Sequence, residues 1–482
     1  MNSLTQKTQR LAARSAFPFV ALLLAGCSAA LSPDSGMGRV SSEVTSELTF
    51  ASTKVVSEAD ETTARHQVDA LLTGTLSAEQ AVRLALLNNR GLQAEYNQLG
   101  ISEADYVEAS SLPNPVVSIG KILAGDELEI ETRLVGSLLS VFTLGSRTAA
   151  AKLDFEAAQL RAVQATFNLA ANTRRAYYTA VASRQAEAFL EQARESARLT
   201  SEFTVKLGET GAATKIDQAR ASAVYLETSN RLAEARLKSE LDREALVRLL
   251  GLWGRDINFK LPSALPQIPD KLPKSADTEA LAIGKRVDLR IAKLELDALA
   301  KKLRLTKATR FVPMLDLAGL TTYVAAGEGD EKTETRGYGF ELEFELPVFD
   351  SGAAETWRAS EQYMQAVNRL AERAVNIRSE VRAAYQSYRA TYDITWQFRN
   401  RILPMRAVIT EQSLLEYNGM LTDVFDLLTT AQENANANIA AIEAKRNFFL
   451  ATVDFQSAII GGGSSGPAET TTAAAAPAGA EH

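Results

Sequence analysis

The stretch YGFELEFELPVFDSG, from Tyr338 to Gly352, decides the fold. Apolar side chains occupy every second position from Tyr338 to Val348. The positions between them include three carboxylates, at Glu341, Glu343 and Glu345. Strict alternation of this kind predicts a β-strand with one apolar face and one acidic face.

The residues after this strand predict a helix of unusual length. From Ala353 to Leu403 the chain contains neither Gly nor Pro, whereas typical globular helices run about 8 to 20 residues. The same arrangement occurs earlier, where VFTLG at 141–145 is followed by 62 residues, Ser146 to Leu207, without Gly or Pro. A helix of that length would span about 93 Å.

These two passages belong to a longer internal repetition. Tyr177 and Tyr385 are 208 positions apart, as are Gly211 and Gly419. Asn89-Arg90-Gly91-Leu92 and Arg286-Val287-Asp288-Leu289 are 197 positions apart, and Pro113 and Pro313 are 200 apart. The period exceeds that of solenoid repeats, so we expect two tandem half-proteins. Their expected bounds are 76–261 and 277–460, joined by a Pro-rich linker at 262–276.

Each half is expected to contain one β-hairpin and several helices. In the first half, Val116–Leu123 leads into a looser alternation around Leu128 to Leu138, in which Glu129 and Glu131 stand on the polar face. In the second half, Met314–Val324 leads into the strand at 338–348. Long helices are expected at 212–250 and 420–460, and shorter ones at 77–110 and 277–306. Spacings of four and three residues in α-helical runs such as Leu153, Ala157 and Leu160 indicate coiled-coil packing. The fold class is therefore mainly α with a small β part.

The hairpins fit two environments. A soluble sheet would pack its apolar face on a core, whereas a strand of about 9–11 residues also suits a tilted transmembrane β-strand. Four strands cannot close a barrel, for which about eight are needed. Eight would come from a dimer and twelve from a trimer, and a trimer leaves room for an open lumen. The lumen would then be lined by Glu129, Glu131, Glu341, Glu343 and Glu345.

The N-terminal residues have the pattern of an export signal. Three basic residues precede a short apolar run, Ala16 to Ala25, which ends in Leu24-Ala25-Gly26-Cys27. This predicts a signal peptide at 1–26, and its end resembles the lipobox of bacterial lipoproteins, which implies acylation of Cys27. The alternative is a cysteine placed there by chance. Residues 27–75 are expected to form a tether with little structure of their own, and 461–482 a disordered tail.

Composition narrows the functional classes. The chain has 482 residues and a net charge of -7, so there is no basic excess that would favour nucleic acid. It contains two histidines and one cysteine, Cys27. A histidine-based metal centre or catalytic triad is therefore not expected, and neither is a cofactor.

Together these features resemble the TolC family of outer-membrane efflux proteins, in its lipoprotein branch, over about residues 76–460. The resemblance is carried by the 89–92 motif and its copy, by LPVFDSG at 346–352, and by Tyr417-Asn418-Gly419 before Leu427-Leu428. It implies a homotrimer whose twelve strands form one outer-membrane barrel continuing into a periplasmic helical tunnel. It also implies an inner-membrane pump and a periplasmic adaptor as partners. The chain would be a passive duct, lipid-anchored in the outer membrane of a Gram-negative bacterium.

The family narrows its tunnel near the start of the last helix, where this chain has Asp423-Val424-Phe425-Asp426. Asp423 and Asp426 lie on one helical face, and threefold repetition would give six carboxylates. If positions are counted from Gly419 as in the family, Phe425 and Leu428 instead fall at the constriction. A third interpretation is a solvated helix terminus whose charge suits the helix dipole.

Two other functions remain open at this stage. A structural periplasmic coiled-coil lipoprotein would tether the outer membrane and would need no membrane strands, which the alternation at 338–348 disfavours. An acid-catalysed enzyme would need carboxylates held in pairs at set separations, whereas a row along one strand face resembles a lining.

The lining carboxylates could favour cations in the lumen or could simply keep a wide pore wet.

Overall fold

The computed structural model describes residues 31–125, 127–272, 278–326, 333–419 and 421–461. The predicted signal peptide at 1–26, Cys27 and residues 462–482 of the predicted tail lie outside these residues. Within the described ranges the chain is mainly helical and contains one four-stranded sheet. The described residues divide into two units: the first comprises those of 31–47, 94–163 and 288–374, and the second those of 48–93, 164–287 and 375–461.

The elements follow one another in matching order in the two halves of the chain. The strands are β1 (Val116–Ala124), β2 (Glu127–Ser137), β3 (Leu315–Ala326) and β4 (Thr333–Phe344). The helices are α1 (Met37–Leu48), α2 (Glu58–Leu72), α3 (Ala78–Asn88), α4 (Arg90–Ala109), α5 (Leu138–Glu209), α6 (Lys215–Leu250), α7 (Thr278–Lys285), α8 (Val287–Thr309), α9 (Ala353–Gln397), α10 (Leu403–Asn418) and α11 (Val424–Ile460).

The sheet lies in the first unit and is antiparallel throughout, in the order β1-β2-β3-β4. β1 pairs with β2 from Val116 opposite Val135 to Ala124 opposite Glu127, and β3 pairs with β4. β2 also pairs with β3, so the hairpins of the two halves share one sheet. Four strands were expected here, but β4 ends at Phe344, earlier than the alternation suggested.

The two VFxxG motifs adopt different conformations. The first, at 141–145, lies inside α5, which begins at Leu138 directly after β2. The second precedes α9, where Gly352 takes a left-handed φ of 66° and its N–H donates to the Asp350 carboxylate at 2.9 Å. Pro347 removes a backbone donor in this segment, which helps to keep it out of a helix or strand.

The helix after β4 continues further than its sequence predicts. The run without Gly or Pro stops at Leu403, yet the chain stays helical past Pro404, through a π-helix at Phe398–Ile402 and on into α10. The Leu403 N–H donates to the Phe398 carbonyl, five residues back. A proline removes a hydrogen bond and presses on the carbonyl four residues earlier, and the wider π turn accommodates both effects.

The helix expected at 77–110 is in fact two helices, α3 and α4, with a break at Asn89. Asn89 is extended, with ψ of 113°, and its side-chain oxygen accepts from the Leu92 N–H at 3.0 Å. Its side-chain nitrogen donates to the Leu249 carbonyl at 2.9 Å, near the end of α6. The second half breaks at the corresponding position, between α7 and α8, where Arg286 Nη1 donates to the Ala458 carbonyl at 3.3 Å near the end of α11. In both halves, a side chain at the break therefore donates a hydrogen bond to a carbonyl near the end of another helix, where backbone carbonyls lack partners within their own helix.

The expectation of little structure in residues 27–75 is wrong for the described part, which contains α1 and α2. In the first unit, Val40 and Val44, one helical turn apart on α1, are fully buried. Glu43 on the same helix pairs with Arg290 at 2.6 Å. In the second unit, α2 begins at a capping box formed by Ser57 and Asp60. α1 has buried apolar residues at helical spacing, Met37, Val40, Val44 and Leu48, whereas α2 has one buried apolar residue, Val68.

The core of the second unit forms around α3, α5 and α6. Its largest cluster includes Leu84, Tyr177, Val181, Leu246 and Leu250. The Tyr177 hydroxyl donates to the Leu76 carbonyl at 2.9 Å, and burial raises the pKa of Tyr177 to about 12. A smaller aromatic cluster joins Tyr388 and Tyr392 of α9 to Phe448 and Phe455 of α11. On the predicted α5 packing face, Ala157 and Leu160 are buried and Leu153 is partly buried. Val163, Phe167 and Ala170, which follow the same spacing, are also buried.

Candidate functional site: the two faces of the sheet and the start of the last helix

Strand register assigns every residue of the sheet to one of two faces, because directly paired residues point the same way. One face, here called the acidic face, carries six carboxylates and one guanidinium. They are Glu127, Glu129, Glu131 and Arg133 on β2, Asp316 on β3, and Glu341 and Glu343 on β4. Four of the five predicted lining carboxylates therefore lie together on one face.

The acidic face is organised around Arg133. Its guanidinium lies 3.1 Å from a carboxylate oxygen of Glu341 and 3.1 Å from one of Glu343. β3 lies between these strands, where Ala318, opposite Glu341, is only 2% exposed. The two glutamates remain about half exposed, at 48% and 50%. These are solvent-screened ion pairs, so they contribute little to stability, but they leave the face strongly negative.

Glu129 and Glu131 lie on the same face, nearer the β1–β2 turn. Glu129 stands opposite Ile122 on β1 and Val324 on β3, and Glu131 opposite Gly120 and Thr322. Neither has an opposite charge directly across the strands. The acidic face therefore has two regions. The region towards the hairpin turns has no basic residue, and in the region at the opposite end Arg133 bridges two glutamates.

Glu345, the fifth predicted lining residue, lies just beyond the end of β4. Its N–H donates to the Met314 carbonyl at 3.4 Å, outside the ladder of paired strands. The alternation of apolar residues predicted a strand as far as Val348. Pro347 has no N–H group and cannot donate a hydrogen bond to a neighbouring strand. Asp316 was missed by the sequence reasoning. It faces Glu343 across β3 and β4, and its position within the β3 alternation was the available signal.

The opposite face, here called the apolar face, presents large hydrophobic side chains to the outside of the chain. Tyr338 is 80% exposed and Phe340 is 83% exposed. Further exposed members are Val117, Ile119 and Leu123 on β1, Leu134 on β2, Leu317 on β3, and Leu342 and Phe344 on β4. The charged members of this face, Lys121, Glu334 and Arg336, lie towards the hairpin turns. A contiguous exposed apolar surface of this kind marks an interaction surface.

Two aromatic residues of the VFxxG motifs extend this apolar character beyond the strands. Phe142 is 75% exposed and Phe349 is fully exposed. Both lie at the end of the sheet away from the hairpin turns. Aromatic residues at the edge of an apolar band are typical of transmembrane β-proteins.

The predicted constriction residues lie in the second unit, at the first turn of α11. The Asp423 side chain accepts from the Asp426 N–H at 2.9 Å, so it caps the helix. The Thr422 hydroxyl donates to the Asp426 carboxylate at 2.9 Å. The corresponding turn of α6 is capped by Thr214, whose hydroxyl also donates to Asp217. Hydrogen bonds from Thr214 hold the pKa of the Asp217 carboxyl below its ordinary value.

The two apolar candidates at this turn differ from each other. Phe425 is 43% exposed, and the guanidinium carbon of Arg220 on α6 lies 4.5 Å from its ring centre. Leu428 is only 6% exposed within a single chain. Phe425 and the two aspartates are thus accessible at this turn, and Leu428 is packed inside the second unit.

A search of solved structures finds outer-membrane channels with the same fold. OprN matches over 87% of this chain and 96% of its own, at 19% identity and a TM-score of 0.68. CmeC of Campylobacter jejuni matches over 81% and 87%, at 20% identity and a TM-score of 0.64. The open state of MtrE of Neisseria gonorrhoeae matches over 80% and 89%, at 17% identity and a TM-score of 0.67.

This chain has the TolC-like outer-membrane channel fold. The family resemblance seen in the sequence is therefore confirmed at the level of the fold. A scan against protein-family models gave no match, and a search of curated proteins gave none either.

The TolC-like fold accounts for both the long helices and the small sheet of this chain.

Among the described residues, no helix is both long enough and apolar enough to cross a membrane. The same ranges contain no group of three or more His, Cys, Asp or Glu residues placed to hold a metal ion.

Proposed function

We propose that this chain is the outer-membrane duct of a tripartite efflux or secretion system. It would work as a passive channel without catalysis, carrying substrates from an inner-membrane pump and a periplasmic adaptor to the outside. The TolC-like fold supports this function, and so does the division of the sheet into two faces. The observation that carries it is the exposed apolar face set against a face of six carboxylates and one arginine.

The proposed assembly is a homotrimer that closes a twelve-stranded barrel. Within the single chain, β1 and β4 form the two edges of the sheet. An open edge invites pairing with another strand, and three copies supply enough strands for a barrel with a lumen. The acidic face would line that lumen and the apolar face would contact lipid. The two halves of each chain would then act as tandem repeats, each giving one hairpin to the barrel and long helices to a periplasmic tunnel.

The periplasmic end and the membrane anchor complete the proposal. Asp423, Phe425 and Asp426 would stand at the narrow end of the tunnel, with Leu428 behind them. Acylation of Cys27 would add a lipid anchor in the outer membrane, a proposal that rests on the sequence Leu24-Ala25-Gly26-Cys27 alone. A purely structural tether would not need exposed apolar strands, so the sheet favours the duct over that alternative.

Native mass spectrometry of the purified protein, combined with a liposome-swelling assay, tests this function. We expect a mass of three chains and swelling of liposomes in a permeant sugar solution. A monomeric mass, or a trimer that leaves the liposomes impermeable, would contradict the proposal.

A further inference from the structure

A cavity of about 400 Å³ in the second unit is not used by the proposed duct. It is bordered by α5, by residues 263–268, by the π-helix and by α11. Its lining includes the apolar side chains of Phe189, Phe398 and Ile442, the basic side chains of Arg399 and Lys445, and several uncharged polar residues. A cavity of this size that combines apolar side chains with convergent polar groups is typical of a small-molecule site.

Of the two cations of the cavity, Arg399 pairs only with the exposed Asp270, and Lys445 pairs with no carboxylate among the described residues. The Lys445 amine donates to the Leu265 carbonyl at 2.9 Å, and Arg399 donates to the Ile268 carbonyl at 3.4 Å. Both partners are uncharged. The nearest carboxylate to Arg399 is that of Asp270, at 3.6 Å, and its side chain is 92% exposed. Among the described residues, Lys445 forms no ion pair within 4 Å.

The Lys445 amine responds to this environment. Burial lowers its pKa, and the positive charge of Arg399 lowers it further. Lys445 is partly buried and its only named partner is an uncharged carbonyl, which is costly for a charged group, whereas Arg399 is exposed and pairs with Asp270. The amine also keeps two of its three donors after the bond to Leu265.

The π-helix shapes the same cavity. Its first two residues, Phe398 and Arg399, contribute one apolar and one charged group to the lining. π-helical turns occur frequently at functional sites, and Pro404 explains why this one forms but not why its side chains line a cavity.

We propose that this cavity binds a small amphipathic anion, a carboxylate or sulfonate carried on an aromatic or aliphatic body. The acidic head contacts Lys445 and Arg399, and the body packs on Phe189, Phe398 and Ile442. The site is separate from the lumen carboxylates and does not depend on the duct function.

Isothermal titration calorimetry of the purified full-length protein with naphthalene-1-sulfonate tests the site. We expect saturable binding of one ligand per chain. Lys445→Met is expected to weaken binding by at least about tenfold, since a charge-assisted contact is lost, whereas Lys445→Arg retains it. Lys301→Met, which removes an exposed charge on α8 in the first unit, is the matched control and leaves binding unchanged.

Two further titrations make the result independent of whether Lys445→Met folds. Ala188→Trp fills the cavity from the exposed surface of α5 and is expected to abolish binding with both cations intact. The neutral analogue 1-naphthalenemethanol and inorganic sulfate are each expected to bind at least about tenfold more weakly than the sulfonate. The proposal is overturned if the native chain shows no saturable binding, or if Ala188→Trp or folded Lys445→Met binds with wild-type affinity. It is also overturned if either analogue binds as tightly as naphthalene-1-sulfonate. Equal binding of 1-naphthalenemethanol would show that Lys445 and Arg399 only hold residues 263–268 in place, and equal binding of inorganic sulfate would show that the apolar side chains add nothing.

Discussion

Replacing Phe340 by lysine tests which environment the apolar face meets. Phe340 lies four residues from the end of β4, which is roughly 14 Å along the strand. With a strand tilt of about 40°, that corresponds to roughly 10 Å of depth in an apolar band about 25 Å tall. Phe340 would therefore lie close to the midplane of the bilayer.

The expected cost follows from that depth. A lysine on the lipid face near the midplane destabilises a transmembrane β-protein by about 2–4 kcal/mol, which is roughly a 30-fold to 700-fold change in the folding equilibrium for each chain. On a soluble sheet the same change would be nearly neutral, within about 0.5 kcal/mol. Phe340 is already 83% exposed in the single chain, so no packed core is lost.

Urea-dependent folding into phosphatidylcholine vesicles, followed by the fraction of SDS-resistant trimer, measures this difference. Glu341→Lys is the matched control, since it introduces the same side chain at the adjacent position on the acidic face. We expect Phe340→Lys to fold poorly and Glu341→Lys to fold within about 1 kcal/mol of wild type, because the lost pair with Arg133 is half exposed. If Phe340→Lys folds as well as wild type, the apolar face does not contact lipid.

Three further predictions follow from other parts of the chain. Glu341→Gln with Glu343→Gln lowers the negative charge of the acidic face, so the cation preference of the channel should fall, measured as a reversal potential closer to zero under a salt gradient. If the reversal potential is unchanged, these side chains do not line the conducting path. Arg290 holds the pKa of the Glu43 carboxyl below its ordinary value. This ion pair therefore stabilises α1 above about pH 4.3, and its contribution is lost as pH falls through the lowered pKa. The protection factors of the α1 amides, which are corrected for the intrinsic pH dependence of exchange, should therefore fall at acidic pH. Glu43→Gln should remove that part of the pH dependence, and an identical protection profile in both proteins would contradict this reasoning. Asn89→Ala removes a hydrogen bond to the end of α6 and a helix cap, so thermal or urea denaturation should show a loss of about 1–2 kcal/mol, and an unchanged stability would mean that water replaces both contacts.

The strands and long helices were predictable because each depends on local pattern. Alternation between Tyr338 and Phe344 specifies a strand whatever packs on it, and a run without Gly or Pro permits a helix such as α5. Features set by distant residues were not predictable. α1 is a different case, because Met37, Val40, Val44 and Leu48 lie at helical spacing and are all buried, a local pattern that the prediction for 27–75 overlooked.

The site shows the same division between local and distant causes. The period of two placed Glu129, Glu131, Glu341 and Glu343 on one face, but only the register of β2, β3 and β4 brings Arg133 beside the last two. Leu428 could not be assigned from counting along the helix, because its burial depends on packing within the second unit. The continuation of the helix past Pro404 required a π turn that no propensity predicts.

Single-channel recording in planar lipid bilayers tests the central claim most directly. The purified full-length protein should insert and give discrete, long-lived conductance steps with a preference for cations. An inserted, folded protein that gives no conductance would contradict a lumen lined by the acidic face, and with it the proposed duct.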